Sequence, residues 1–219
     1  MKYFTKSLLA ILAITGSIFL FTQNNVMSEE QDQTPAPAPV VAEGHKQITF
    51  GAGCFWCVEA VFHRLEGVIS ATSGYMGGSH PKPSYKQVIY ENTGEIEVVH
   101  VVYDPKKIST EALLEWFWKS HYPTQANGQG NDIGPQYLSY IFAHSDEDLK
   151  TSEASKKKAQ TNYEAPIATK IVKAATFFPA EVYHQDYYHL NGTKDPYCRA
   201  VITPKLEKIN LADKPKLAK

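Results

Sequence analysis

Cysteine is scarce in this chain, which has three cysteines among its 219 residues. Three are far too few for a small fold held together by a dense set of disulfides. A surplus of charge is lacking as well, because 22 basic and 23 acidic residues leave a formal net charge of -1. The chain therefore carries no electrostatic signature of a nucleic-acid-binding protein.

Extremes of composition are absent too. Apolar residues make up 43% of the chain, charged residues 21% and aromatic residues 12%. These proportions exclude collagen, low-complexity chains and wholesale disorder. The sequence has no internal repeat of the kind that builds solenoids, and its length is sufficient for one domain with a substantial core.

Acidic residues are missing from the N-terminal segment, where the first is Glu29. Lys2 and Lys6 flank the start of an apolar run over 7–21. A basic start followed by about 15 apolar residues is typical of a secretory signal and is shorter than a comfortable membrane span. We expect residues 1–28 to be a signal peptide or an uncleaved N-terminal anchor. The protein is then exported, either to the periplasm or to a membrane-tethered position on the extracytoplasmic side.

The next segment has almost nothing to bury. Within residues 29–44, the run Thr34-Pro-Ala-Pro-Ala-Pro39 favours an extended chain. We expect a disordered Pro/Ala linker there, a single folded domain over 45–210 and a flexible C-terminal tail over 211–219.

The hydrophobic pattern of the domain alternates between strand and helix periodicity. Strands are predicted at 47–50, 68–73, 95–103, 137–143 and 170–176. Helices are predicted at 54–66, from the Ser109 N-cap to Lys119, at 146–163 and at 179–190, with polar or Gly/Pro-rich loops at 74–84 and 122–135. Several strand pairs are separated only by loops. This favours an α+β fold, in which helices pack on a sheet, over a doubly wound parallel fold.

Cys54 and Cys57 form a C-x-x-C motif at the start of the first predicted helix, directly after a glycine-rich turn. The N–H groups of a helix start stabilise a thiolate and lower the pKa of a thiol there, and the two sulfurs are close enough to bridge. The alternatives are a buried pair of small apolar residues or half of a zinc site. No second C-x-x-C or H-x-x-x-H exists, so only Cys198, His184 and His189 remain to complete a zinc cage, and we expect no metal.

The segment Gly53-Cys-Phe-Trp-Cys57, followed by Val58-Glu59, resembles the active-site signature of the type A peptide-methionine sulfoxide reductases. Further matches follow in the family's order: Gly74-Tyr-Met-Gly-Gly78, Tyr85, Thr93-Gly-Glu-Ile-Glu-Val98, Val102-Tyr-Asp-Pro105, His121 to Gln125, Gln129-Gly-Asn-Asp-Ile-Gly134, Gln136-Tyr137 and Phe178-Pro-Ala-Glu-Val-Tyr-His-Gln185. The resemblance covers about residues 46–206. The chain departs from the pattern at Pro135, where Thr is common, and at Cys57, where many members have Gly.

This resemblance implies a fold and an activity. The fold is a two-layer sandwich with a mixed, largely antiparallel sheet, a ferredoxin-like core and long ordered loops. The activity is that of an oxidoreductase, a peptide-methionine (S)-S-oxide reductase, which reduces methionine S-sulfoxide, free or in proteins, and so repairs oxidised exported proteins. No cofactor is implied beyond an external dithiol reductant similar to thioredoxin.

The resemblance also implies roles for individual residues. Cys54 is the nucleophile for the sulfoxide sulfur, and Glu97 is the general acid for its oxygen. Strand alternation places Glu97 on the apolar face of Val99, where burial would raise the pKa of its carboxyl. Tyr85 and Tyr137 would hold the oxygen. From the residues alone, a solvated glutamate and two packing tyrosines are the simpler interpretation.

Four more residues are implied to form the substrate pocket. Phe55 and Trp56 would form a wall for the methyl group, although in an unrelated helix they would be core residues. Asp132 resembles the family's structural acid beside the pocket, and otherwise would be a turn former. His184 would support the site, and a purely structural role is an equal alternative.

Oxygen transfer would leave Cys54 as a sulfenic acid, which a second thiol must resolve to a disulfide. Cys57 is near in sequence, whereas Cys198 lies in a C-terminal segment that looks mobile and matches the position of the family's resolving cysteine. Either thiol, or a relay between them, is compatible with the sequence, and the family pattern favours Cys198.

A thioredoxin-like thiol–disulfide oxidoreductase that uses the Cys54-x-x-Cys57 pair is the alternative function. That fold needs a compact βαβ unit before the motif and a cis-proline loop after it, yet only one short strand precedes Cys54 here. A third class, a binding or structural protein with inert cysteines, would not require Glu97, Tyr85 and Tyr137 in these contexts.

Overall fold

A six-stranded sheet forms the centre of the computed structural model, which describes residues 33–216. The strands are β1 (Lys46–Ala52), β2 (Val68–Met76), β3 (Ile96–Tyr103), β4 (Gly128–Gln129), β5 (Asp132–Ile133), β6 (Ser139–Ala143), β7 (Lys170–Lys173) and β8 (Phe178–Pro179). The α-helices are α1 (Phe55–Phe62), α2 (Tyr85–Tyr90), α3 (Thr110–Ser120), α4 (Asp146–Gln160), α5 (Tyr187–Asn191) and α6 (Thr203–Lys208). A π-helix spans Cys198–Ile202.

The strand order of the sheet is β7-β6-β1-β3-β2-β8, while β4 and β5 form a separate hairpin. Only the β6–β7 pair is parallel within the sheet, and the other four pairs are antiparallel. The order β6-β1-β3-β2 is that of a split βαβ pair, the ferredoxin-like arrangement. The predicted α+β fold with a mixed, largely antiparallel sheet is confirmed.

Strand β3 lies in the middle of the sheet, and all eight of its residues are buried. Its β-branched residues alternate between the two faces, as the period of a strand requires. Val99 and Val101 belong to the main core with α1 and α3, whereas Ile96 and Val98 pack with Phe142 in a smaller cluster. A central strand buried on both faces is a rigid support for any side chain it carries.

Helix α1 is held between the sheet and α3. The ring of Phe50 on β1 stacks on Phe62 of α1 at 4.9 Å and on Phe117 of α3 at 5.0 Å between centroids. Helix α3 starts as predicted, because the Ser109 hydroxyl accepts a hydrogen bond from the N–H of Ala112. Aromatic packing on Phe50 therefore holds the end of α1 and helix α3 against the sheet.

The helix predicted over 179–190 is interrupted in the structure. Phe178–Pro179 pairs with β2, Val182–His184 is a short 3-10 helix, and α5 begins only at Tyr187. Asp186 between them has a φ of 55°, in the left-handed region, which stops helical propagation. The 74–84 loop also begins later than predicted, since β2 extends to Met76, and α2 follows it without having been predicted.

The linker predicted to be disordered over 29–44 is paired with the domain where the structure describes it. The carbonyl of Thr34 accepts a hydrogen bond from the N–H of Val182, and the N–H of Ala36 donates to the carbonyl of Ala180, both at 2.9 Å. Alternating prolines leave Ala36 with a free N–H in an extended chain, which suits pairing at a strand edge. Residues 34–36 are thus a strap on the segment after β8.

The tail predicted to be flexible over 211–219 is also packed as far as the structure describes it. Leu211 is fully buried and its N–H donates to the carbonyl of Leu206 at 2.8 Å. Lys216 forms an ion pair with Asp186. The predicted signal or anchor over 1–28 lies outside the described residues, and residues 33–216 contain no helix long and apolar enough to cross a membrane.

Candidate active site

The turn between β1 and α1 presents Cys54. Gly53 has a φ of 86°, which an L side chain rarely adopts, and a Cβ at this position would lie 2.6 Å from the Cβ of Gln129. Glycine therefore lets the β4–β5 hairpin pack directly on the turn. Cys54 then takes the N-cap position of α1, as predicted, and remains 8% exposed.

Glu97 on β3 contacts the start of the same helix. Its Oε2 accepts a hydrogen bond of 3.1 Å from the backbone N–H of Phe55, the residue that follows Cys54. Burial raises the pKa of this carboxyl to about 8, and the negative charge of Asp132 adds to the rise. Glu97 lies on the helix-facing side of the sheet with Val99, as strand alternation predicted. At neutral pH it is a proton donor.

Tyr85 and Tyr137 lie within the electrostatic reach of Cys54 and Glu97. Burial raises the pKa of both phenols, and the negative charges of Glu97 and Cys54 raise them further. Both hydroxyls are consequently protonated donors throughout the physiological pH range. The structure brings together the four residues that the sequence assigned to the chemistry.

The two thiols of the C-x-x-C motif are a coupled pair. Burial raises the pKa of Cys54, and its hydrogen bond with Cys57 raises it further. That hydrogen bond lowers the pKa of Cys57 to about 6, with the positive charge of Lys205 assisting. The prediction that the helix start lowers the pKa of Cys54 is wrong, because burial outweighs it. The first proton lost from the pair leaves a thiolate at Cys57, which accepts a hydrogen bond from the Cys54 thiol.

The aromatic wall predicted at Phe55 and Trp56 is extended by two residues of the C-terminal part. The indole of Trp56 stacks on Tyr187 at 3.7 Å between centroids, and its Nε1–H donates to Nδ1 of His184 at 3.2 Å. His184 also lies 4.9 Å from the ring of Phe55 and 4.5 Å from that of Tyr85. Burial lowers the pKa of His184 to about 4, so it is a neutral support of the wall.

Tyr197 is a site residue that sequence reasoning missed. Its hydroxyl donates to Oδ2 of Asp132 at 2.7 Å and lies 3.6 Å from Sγ of Cys57. Its ring meets the edge of Trp56 at 5.9 Å. The only sequence signal for Tyr197 was its position directly before Cys198.

Glu181 is a second residue that was missed, although it stands in a motif that the resemblance includes. Its Oε1 accepts a hydrogen bond from the N–H of Tyr85 at 2.8 Å, and its Oε2 accepts one from the hydroxyl of Tyr75 at 2.9 Å. It therefore anchors the start of α2, and with it Tyr85, to β2 and to the segment after β8.

Cys198 does not lie in the mobile loop that the sequence suggested. It is fully buried as the first residue of the π-helix, and its N–H donates to Oδ1 of Asp195 at 2.8 Å. Burial raises the pKa of its thiol to about 12. Cys198 interacts electrostatically with Cys57 across the packed C-terminal segment. None of the three cysteines forms a disulfide.

One group of three metal-ligand side chains occurs among the described residues, and it does not include a cysteine. Ligand atoms of Glu59, His63 and Asp186 lie within 4.8 Å of one another. Nδ1 of His63 is 2.9 Å from Oδ1 of Asp186, whose other oxygen pairs with Lys216. Lys216 contributes positive charge to this cluster. It joins the C-terminal part of the chain to α1.

A pair of thiols that shares a proton, beside a neutral buried carboxyl and two phenol donors, indicates a cysteine-dependent oxidoreductase. Residues 46–217 match the family model described as peptide methionine sulfoxide reductase. The peptide methionine sulfoxide reductase MsrA 1 of Rhodopirellula baltica is 47% identical over 167 residues, which cover 76% of this chain and 86% of that protein.

Solved structures agree with this match. Mxr1 of Saccharomyces cerevisiae in reduced form is similar with a TM-score of 0.65 and 37% identity, over 72% of this chain and 90% of that one. Mxr1 in complex with Trx2 is similar with a TM-score of 0.50 and 26% identity, over 68% and 90% of the two chains. The chain belongs to the peptide methionine sulfoxide reductase family. It is an oxidoreductase that reduces methionine sulfoxide, and the thioredoxin-like alternative is not favoured.

Proposed function

We propose that Cys54 takes the oxygen of methionine sulfoxide while Glu97 supplies the proton that this oxygen needs. One observation carries the assignment: a carboxyl kept neutral by burial is hydrogen-bonded to the N–H next to the nucleophile. The Cys54 sulfur attacks the sulfoxide sulfur and forms an S–S bond while Glu97 protonates the oxygen. The protonated oxygen then transfers to the Cys54 sulfur, and the S–S bond and the S–O bond of the substrate break. The products are methionine and a sulfenic acid on Cys54, so the methionine sulfur is reduced and the cysteine sulfur is oxidised.

The proton of the Cys54 thiol needs an acceptor as the attack begins. Cys57 suits this role, because its pKa of about 6 leaves it a thiolate at neutral pH and it already shares that proton. Cys54 thus acquires thiolate character only as the attack begins, despite its high resting pKa. A protonated resting nucleophile is also less exposed to unproductive oxidation.

The surrounding residues orient the substrate. The hydroxyls of Tyr85 and Tyr137 donate hydrogen bonds to the sulfoxide oxygen as negative charge develops there. Phe55 and Trp56 pack against the methyl group, and His184 keeps the Trp56 ring in position.

Asp132 acts on the general acid Glu97 rather than on the substrate. Its charge raises the pKa of Glu97, and Tyr197 fixes its carboxylate through the 2.7 Å hydrogen bond. Asp132 and Tyr197 therefore help to keep Glu97 protonated.

Resolution begins with Cys57 in this proposal, not with Cys198 as the family pattern suggested. The Cys57 sulfur attacks the sulfenic sulfur of Cys54, a disulfide forms, and the hydroxyl leaves as water with the proton that Cys57 took up in the first step. Cys198 is buried and is the less acidic thiol, but it interacts with Cys57 and can exchange into the bridge once the π-helix opens. An external dithiol similar to thioredoxin then restores the thiols, as the pairing of the relative Mxr1 with Trx2 supports.

The proposed setting is repair of oxidised proteins outside the cytoplasm. The support is in the sequence, where Lys2 and Lys6 precede an apolar run over 7–21 with no acidic residue nearby. Fractionation of cells that express the full chain, with mass analysis of its N-terminus, tests this. Recovery only from the cytoplasm with residues 1–28 intact would overturn it.

A peptide with one methionine sulfoxide, supplied with excess dithiothreitol, tests the chemical assignment. Cys54→Ser is expected to remove no oxygen from the peptide. Cys57→Ser is expected to turn over more slowly, because it lacks the acceptor of the Cys54 proton, but to continue, because dithiothreitol reduces the sulfenic acid directly. The mass of the peptide reports the loss of its oxygen atom. Retained reduction by Cys54→Ser would overturn the assignment.

A further inference from the structure

Three lysines line the cavity on which the two thiols open. The cavity has a volume of about 570 Å³ and is lined by Cys54, Cys57, Lys119, Lys205 and Lys208, among others. Lys119 is at the end of α3, whereas the other two lie on α6. Elements distant in sequence therefore place positive charge around a single opening.

The positive charge of this opening is not neutralised within the described part of the chain. None of the three lysines forms a salt bridge there. Lys119 lies over the ring of Trp116 and Lys208 over that of Tyr122, at 5.1 and 5.0 Å from the centroids.

Asp132 is the one carboxylate among the lining residues, and it already accepts the hydroxyl of Tyr197. The lining histidine, His121, is neutral, because burial lowers its pKa to about 3. Three lysines against this engaged carboxylate and the Cys57 thiolate leave the cavity with a net positive charge.

The volume of the cavity matters for what enters it. About 570 Å³ lies within the usual range of 300–1,000 Å³ for ligand sites, which is more than one thioether side chain needs. Cys54 lines this cavity, so a polypeptide that places its oxidised methionine at Cys54 has neighbouring residues within reach of it. Unpaired ammonium groups would attract carboxylates at those neighbouring positions.

We infer that the lysine-lined cavity binds acidic residues that flank the oxidised methionine, and that the enzyme prefers acidic polypeptide segments. The inference rests on the proposed function, since it requires the oxidised methionine to bind at Cys54. Lys119 and Lys208 are exposed at the opening, so each contributes a modest, salt-sensitive attraction. Together they raise kcat/KM for an acidic peptide over a neutral one by roughly 3- to 10-fold at low ionic strength.

Two peptides of equal length test this, each with one methionine sulfoxide and either aspartates or serines beside it. Their kcat/KM values are measured with dithiothreitol at low and high salt, in the wild type and in Lys119→Gln/Lys208→Gln. The wild type is expected to favour the acidic peptide at low salt, and the double variant is expected to lose most of that preference while keeping its rate on the serine peptide. Lys157→Gln, which removes an exposed lysine outside the cavity, is expected to behave as the wild type.

Equal kcat/KM values for the two peptides in the wild type would overturn the inference while leaving the proposed chemistry intact. A preference for the acidic peptide that persists in the double variant would also overturn the inference and leave the proposed chemistry intact. If the double variant lost rate only when a thioredoxin replaced dithiothreitol, the cavity would serve the reductant and the inference would be wrong. Inactivity of the wild type on both peptides would instead contradict the proposed function.

Discussion

The carboxyl of Glu97 and the backbone N–H of Phe55 are joined by a hydrogen bond of 3.1 Å. This bond connects the central strand of the sheet to the first residue of the helix that Cys54 caps. The acid and the nucleophile are thus held by neighbouring atoms of one rigid junction, so their separation does not depend on a flexible loop. Preorganisation of this kind is what proton transfer to a bound substrate requires.

Replacement of Glu97 by Gln removes the proton donor but keeps an oxygen that can accept the Phe55 N–H. The single-turnover rate of sulfoxide reduction is expected to fall about 10²- to 10⁴-fold, the usual range for a lost general acid. Rapid-quench measurement of the methionine product checks this. A rate near that of the wild type would remove Glu97 from the mechanism.

The same variant carries a prediction about stability. The folded pKa of Glu97 is about 8 and its unfolded value is about 4.3, so its contribution is fully present below pH 4 and is lost as the pH rises through 8. Because Gln does not ionise, Glu97→Gln removes this pH-dependent loss of stability. Its free energy of unfolding, measured with urea, should therefore gain on that of the wild type between about pH 4 and pH 8 and level off above. A difference that is independent of pH would contradict the raised pKa.

The pH dependence of the first reduction step should be bell-shaped. The Cys57 thiolate is needed above about pH 6 and the neutral Glu97 carboxyl below about pH 8. The negative charge of Asp132 raises both pKa values, so Asp132→Asn is expected to move both limbs to lower pH. Single-turnover rates across the pH range measure the limbs. Asp213→Asn, an exposed control, should leave both in place, and an unmoved alkaline limb in Asp132→Asn would contradict the assignment.

The first disulfide is expected between Cys54 and Cys57. After one turnover without reductant, Cys198→Ser should show this bridge in a peptide map, and Cys57→Ser should accumulate a sulfenic acid that a trapping reagent captures. Multiple turnover with a thioredoxin should fall more in Cys57→Ser than in Cys198→Ser. Rapid formation of a Cys54–Cys198 bridge in Cys57→Ser would show that the buried thiol resolves directly.

Tyr197→Phe removes the hydroxyl that lies between Cys57 and Asp132. The hydroxyl donates its one proton to Asp132, whose negative charge raises the pKa of Cys57. Without this hydrogen bond more of that charge acts on Cys57, so the variant should raise the pKa of Cys57 by roughly half to one unit. Ultraviolet absorbance of the thiolate against pH gives the value. Tyr188→Phe removes a hydroxyl that contacts Thr203 in the same region and should leave the thiolate titration unchanged.

The sequence predicts those parts of the site that local periodicity controls. Alternation along β3 placed Glu97 correctly, and the glycine turn placed Cys54 at the helix start. The sequence does not predict contacts between distant segments, such as that of Tyr197 with Asp132, 65 residues apart. It also could not show that burial outweighs the helix terminus at Cys54, since the depth of a thiol depends on the whole packed fold.

The structure of the C-terminal half of the site could not be predicted from local sequence patterns either. The surroundings of Cys198 look like a loop because Pro196 and Gly192 interrupt helical periodicity. The structure nevertheless forms a π-helix and α6 there, because buried Ile202 and Leu206 attach the segment to the core. Tertiary burial of a few apolar side chains has overridden a local signal for flexibility.

Both ends of the described chain are attached to one short segment. The strap at 34–36 pairs with 180–182, and Lys216 pairs with Asp186 four residues further on. A span of six residues is at most about 22 Å long, so the two described ends are attached at positions no farther apart than that. The described part of the chain, residues 33–216, is consequently suited to circular permutation with a connecting peptide, and new ends could be opened at the exposed turn before α4. Trimming to the shortest catalytic core would instead loosen, from both sides, the segment that carries Glu181 and His184.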